Sequence, residues 1–222
     1  MIYIISKYYT SKIRRESLNL PNWKIHIEIG KRLNSKLKYN EQELNLFLLG
    51  TILPDINNSY VVTNIYKKIE HDITHFKNLI NPSYEAFYNK YKTEIDSKNP
   101  MFIGYLSHLY TDYKWNKYFK EKIEKLNIHT ENRDELRIMK QNDFKIYNNK
   151  FIKNVIQIDS VDVALKEIQK IDEISIARND ILNVIDFIYN QKEYKGELNF
   201  YTIEELDKLL EETVIDLCTL GR

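Results

Sequence analysis

At 222 residues, with apolar side chains making up 43% of the chain, the protein is long enough to bury a sizeable core without disulfides. Its 33 basic and 32 acidic residues leave a formal charge of +1, which argues against the electrostatic footprint of a nucleic-acid binder. The single cysteine, Cys218, excludes an internal disulfide framework, and only 5 Gly and 4 Pro favour long helices over a turn-rich β architecture.

Residues 1–20 are polar, Tyr-rich and basic, and are expected to precede a domain spanning 21–222. The apolar run Ile2–Ile5 is closed off by Lys7, short of the ~7–15-residue apolar core of a secretion signal. No stretch approaches the ~20 apolar residues of a membrane span. A cytoplasmic chain with no stable membrane anchor is the expectation. Lys12-Ile13-Arg14-Arg15 reads as a solvated turn rather than a phosphate-binding patch.

Asn22 can cap a helix beginning at Trp23, in which Ile25, Ile29 and Leu33 recur with His26 beside them. Asn40 and Glu43 form a capping-box pattern for a helix over 41–49, with Gly50 as its stop. Thr51–Asn58 reads as a loop in which Pro54 holds Leu53 extended. A helix over 65–79 would carry His71 and His75, and another is expected over 84–95. Met101–Phe119 is apolar and helical and carries His108 and Asp112. The charged region 120–142 is expected to be a helical excursion or loop. Two or three helices follow over 144–189, with Ser160 as a candidate cap. The last helix starts at a Thr202/Glu205 capping box and lines up Ile203, Leu206, Leu210, Val214 and Leu217 on one face. The fold class expected is all-α, a single multi-helical domain, with Cys218 as a buried thiol.

Four of the five histidines, His26, His71, His75 and His108, lie in apolar helical segments beside acidic residues. His108 and Asp112 are four apart, so they share a helix face with Cβ atoms ~5–6 Å apart and can reach one metal ion or simply bond each other. His71 and His75 repeat that spacing, and one or both can face the same site. Asp55, in an apolar loop after Pro54, is a helix cap or a ligand. Together His26, Asp55, His75, His108 and Asp112 supply the nitrogen and oxygen donors that zinc accepts, and manganese or iron would also suit them. Without cysteines in the set, a thiolate zinc site is excluded. There is no Gly-rich phosphate loop and no Gly-x-Ser-x-Gly elbow. Ser107 precedes His108, but neighbours on a helix point to different faces.

Four segments occur in order: Trp23-Lys24-Ile25-His26, Leu48-Leu49-Gly50-Thr51-Ile52-Leu53-Pro54-Asp55, Thr74-His75-Phe76, and Gly104-Tyr105-Leu106-Ser107-His108-Leu109-Tyr110-Thr111-Asp112. In these the chain resembles the zinc-dependent phospholipase C family, all-helical metal-dependent phosphodiesterases. The resemblance implies that Asp55, His75, His108 and Asp112 surround one metal, and that His26 with Asp112 binds a second. One to two zinc ions would then cleave a small phosphoester, with phospholipid as one candidate, using metal-activated water, and Asp55 would orient or deprotonate that water.

The chain departs from the family pattern downstream. Asp112 is followed by Tyr113-Lys114-Trp115-Asn116 rather than by a further histidine ligand. His129 has Arg133, not an acid, four residues on. Asp143 is the conceivable substitute for the missing position. Trp23 is internal, so it has no free amino group to ligate a metal, and neither a secretion signal nor a lipid-binding β-sandwich is evident. Two alternatives follow. An HD-type phosphohydrolase would use His26, His71-Asp72 and Asp112. A helical interaction module would keep the fold without catalysis.

Overall fold

A computed structural model describes residues 23–58, 62, 64–77, 82–128 and 133–220. Among these, all regular structure is helical. The helices are α1 (Trp23–Leu37), α2 (Glu41–Gly50), α3 (Leu53–Ile56), α4 (His71–Thr74), α5 (Tyr84–Lys90) and α6 (Lys92–Asp96), followed by α7 (Pro100–Lys125), α8 (Arg133–Asn148), α9 (Val161–Ile168), α10 (Arg178–Asn190) and α11 (Ile203–Leu220). The all-α expectation holds. Residues 1–20, the candidate cap Asn22 and His129 lie outside the described residues.

The helix starts follow local chemistry. Asn40 Oδ1 accepts from Glu43 N while Glu43 accepts from Asn40 N, so the capping box closes. Ser160 Oγ accepts from Val163 N, and Thr202 and Glu205 exchange the same reciprocal pair at α11. Leu206, Leu210 and Leu217 of α11 are buried, whereas Cys218 is only half-buried. The buried apolar side chains form one continuous cluster from Trp23 to Leu217, with α7 at its centre.

Gly50 does not stop α2. It is the last residue of the helix, and its hydrogen side chain is needed where α2 crosses α7. A Cβ at Gly50 would lie 2.4 Å from Met101 O, and one at Gly104 would lie 2.2 Å from Phe47 O. Both obstacles are backbone, so neither can swing aside. Gly104→Ala should therefore push the two helices apart and destabilise the fold by ~1–3 kcal/mol, the usual cost of overpacking. Urea unfolding checks this, and an unchanged midpoint would contradict it.

Several element boundaries differ from the sequence reading; α7, for one, runs on to Lys125 past the expected end at Phe119. Leu53–Ile56 is a helical turn rather than an extended loop, because Pro54 sits in the first turn, where its missing N–H costs nothing. The long helix expected over 65–79 shrinks to His71–Thr74. Residues 64–70 are instead held by groups from elsewhere: Asn57 Nδ2 donates to Lys67 O, the Asn57 backbone carbonyl accepts from Ile69 N, and the Asp180 carboxylate accepts from Tyr66 N. The helix expected over 84–95 breaks at Tyr91.

Candidate metal centre

The site residues are carried by four separate elements of the chain. His26 lies on α1, Asp55 on the Pro54 turn, and His108 and Asp112 one turn apart on α7. His75 caps α4 just before Phe76, whose φ of 49° is left-handed. That backbone is disfavoured for a bulky residue. Aromatic packing pins it: the Phe76 ring stands edge-on to Phe87, Tyr91 and Tyr105. Tyr105 also donates to Thr74 O. The Thr74-His75-Phe76 motif is thus an anchor that aims His75.

The side chains converge. Asp112 lies 3.4 Å from His26 Nε2, 3.5 Å from His75 Nε2 and 3.5 Å from His108 Nε2. Asp55 lies 3.5 Å from His75 Nε2 and 4.0 Å from His108 Nε2. Trp23 Nε1 donates to Asp55 Oδ2 and Asn58 Nδ2 to Asp55 Oδ1, both at 3.2 Å, which fixes the carboxylate plane. His26, His75 and His108 are buried, while Asp112, with its side chain 28% exposed, opens the cluster to solvent.

The structure also brings in His71, whose ring stacks on His75 with centroids 3.6 Å apart. Two donor sets result, His26/His108/Asp112 and Asp55/His71/His75, each with its donor atoms within 4.8 Å of one another. Three protein donors with a position left open is the pattern of a catalytic zinc site. Asp72, by contrast, turns outward: its side chain is 72% exposed and pairs with Lys77 at 2.7 Å. His71 Nδ1 still lies 3.9 Å from Asp72 Oδ1, but the Asp72 carboxylate belongs to neither donor set. Asp143 is also corrected. Its carboxylate accepts from the backbone N–H groups of Asn199, Phe200 and Tyr201, which buries it as a turn cap away from the histidines.

The donor set fits a cation. His108 Nδ1 donates to Thr51 O at 2.8 Å and His75 Nδ1 to His71 O at 3.0 Å. Those bonds place the ring proton on Nδ1 and leave Nε2 as the lone-pair nitrogen, as outer-shell partners of metal-ligating histidines do. The two Nε2 atoms then face each other at 3.2 Å. Two lone pairs at that distance need a proton or a metal ion beside them.

Electrostatics agree. Burial pushes His26 down, and the His108 charge adds to that, so its ring is neutral and able to donate. Burial and the neighbouring His75 lower His71 to about 4. Burial also opposes charge on His108, but Asp112 outweighs it and, with Asp55, holds the imidazolium up to about 9. Burial would raise Asp112, yet His108, followed by bonds from His26 and His75, keeps it well below the carboxylate range. Because the folded His108 value lies above 6.5, its pairing stabilises the metal-free fold fully below ~6.5 and is lost as pH rises through about 9. An imidazole must be deprotonated to ligate a metal, so binding below that pH expels the His108 proton. Apparent zinc affinity should rise ~tenfold for each pH unit until about 9. Competition with a chelator at several pH values checks this, and a flat profile would contradict the role of His108.

Sequence reasoning gave no role to Trp23 and Asn58 as holders of Asp55, although Trp23 lay in a recognised motif. It also missed Lys140, whose ammonium donates to Asn116 Oδ1 at 3.0 Å, one turn beyond Asp112 on α7.

A family model described as zinc dependent phospholipase C matches residues 25–214. No curated protein and no solved structure was found to match the chain.

Proposed function

The chain belongs to the zinc-dependent phospholipase C family, and from that premise we propose that it hydrolyses a phosphodiester or related phosphoester at the His/Asp cluster. The observation that carries this reading is the convergence of three histidines on the Asp112 carboxylate, with Asp55 facing two of them. His26, His108 and Asp112 would hold one zinc ion, and Asp55, His71 and His75 a second; manganese or iron would also suit these donors. When bound, zinc supplies Lewis acidity at the phosphoryl oxygens and brings the pKa of water from ~15.7 towards ~7.

The chain's own residues do the rest. Asp55 orients the attacking water and takes its proton, and Trp23 and Asn58 keep its two oxygens in place while it does so. The buried imidazoles keep bulk water out, which strengthens charge interactions inside the site. Asp112, the more exposed carboxylate, marks the side from which substrate enters. No described helix is long and apolar enough to cross a membrane.

The test is turnover of bis(p-nitrophenyl) phosphate by chelator-stripped and zinc-restored protein. Activity that disappears with the metal and returns with zinc is expected. Tight zinc binding without turnover on this or a short-chain phospholipid would favour the helical interaction module instead.

A further inference from the structure

We infer that Lys140 is a phosphate-binding residue that holds a non-bridging phosphoryl oxygen of the substrate beside Asp112. The inference rests on the phosphoester reading above. Lys140 lies on α8 and is only 9% exposed. Its ammonium has three donors, of which one goes to Asn116 Oδ1. No carboxylate of the described residues pairs with it. The rings of Phe119 and Phe144 also lie against it, with centroids 4.8 and 5.9 Å from Nζ. A buried cation in such a setting is costly unless an anion completes it, and cation–π contacts offset only part of that cost.

The place of the missing anion is set by α7. Asp112 and Asn116 are four apart and so are neighbours on one helix face. A phosphoryl group approaching the open side of the cluster at Asp112 therefore meets the Asn116–Lys140 pair next. Asp112 is near enough for its charge to act on Lys140, and Lys120 and Arg137 add positive potential around the same ammonium. A phosphoryl oxygen supplies the acceptor that the protein does not. This chemistry is common to a lipid headgroup and a free phosphate.

The test compares zinc-loaded wild type, Lys140→Met and Lys140→Arg by calorimetric binding of inorganic phosphate and, in parallel, of glycerophosphocholine. Lys140→Met should weaken phosphate binding about tenfold or more, the loss expected of one charge-assisted hydrogen bond. Lys140→Arg should keep most of it. Zinc stoichiometry should not change. The melting temperature of Lys140→Met should equal or exceed that of wild type, because an apolar isostere removes a buried charge. An equal loss on glycerophosphocholine would identify a headgroup phosphate as the ligand, whereas a loss on inorganic phosphate alone would identify a free phosphate; either outcome supports the contact. Wild-type phosphate affinity in Lys140→Met with its zinc intact would overturn the assignment of Lys140. So would a Lys140→Met that loses zinc or cooperative melting together with phosphate, which would mark the residue as structural. Failure of the wild type to bind zinc would instead overturn the metal reading beneath it.

Discussion

Replacing Asp112 with asparagine is expected to remove the metal and, with it, the activity. Three imidazoles face this one carboxylate at 3.4–3.5 Å, so its charge is the hub of the cluster. Losing an outer-shell partner of a metal ligand costs ~10–100-fold in affinity or activity, and losing the ligand itself should exceed the upper end of that range. The fold should survive. Asparagine preserves the shape, and His108, without the anion that holds its proton, can become neutral rather than remain an unpaired buried charge. Zinc affinity measured against a competing chelator, together with a thermal melt, checks both halves. Retained affinity would show that the three histidines converge on Asp112 for packing alone.

Asp55→Asn should act differently. Under saturating zinc it should lower kcat by ~10²-fold or more, the low end of what a general base contributes. Trp23 Nε1 and Asn58 Nδ2 both donate to Asp55, and an amide has a single acceptor oxygen for them, so the side chain loses one holder as well as its charge. Asp72→Asn, at an outward-facing carboxylate paired with Lys77, should change kcat by less than about twofold, as surface ion pairs contribute little. Steady-state kinetics on one phosphodiester compares the two. The reverse ranking would restore a His-Asp dyad as the working centre.

The sequence showed what is local. The starts of α2, α9 and α11 were readable because their caps lie within three residues of the groups they satisfy. The His108–Asp112 pair was readable because helical periodicity puts i and i+4 on one face. What was hidden depends on partners far along the chain. Trp23 meets Asp55 across 32 positions and Lys140 meets Asn116 across 24. The short α4 was hidden for the same reason, since Asn57 and Asp180 hold the preceding segment away from a helical path. Gly50 read as a helix stop because proximity to Gly104 is a tertiary fact. Asp143 looked like a spare ligand because a carboxylate that caps a turn and one that binds a metal are identical in sequence.

The metal centre is tested most directly by calorimetric titration of zinc into metal-free wild type and His108→Ala. Removing His108 deletes one nitrogen donor together with its anchoring bond to Thr51 O. Saturable binding of one or two ions per chain in the wild type, with the sites largely lost in His108→Ala, is the result predicted. Absence of binding in the wild type, or an unchanged titration in His108→Ala, would contradict it.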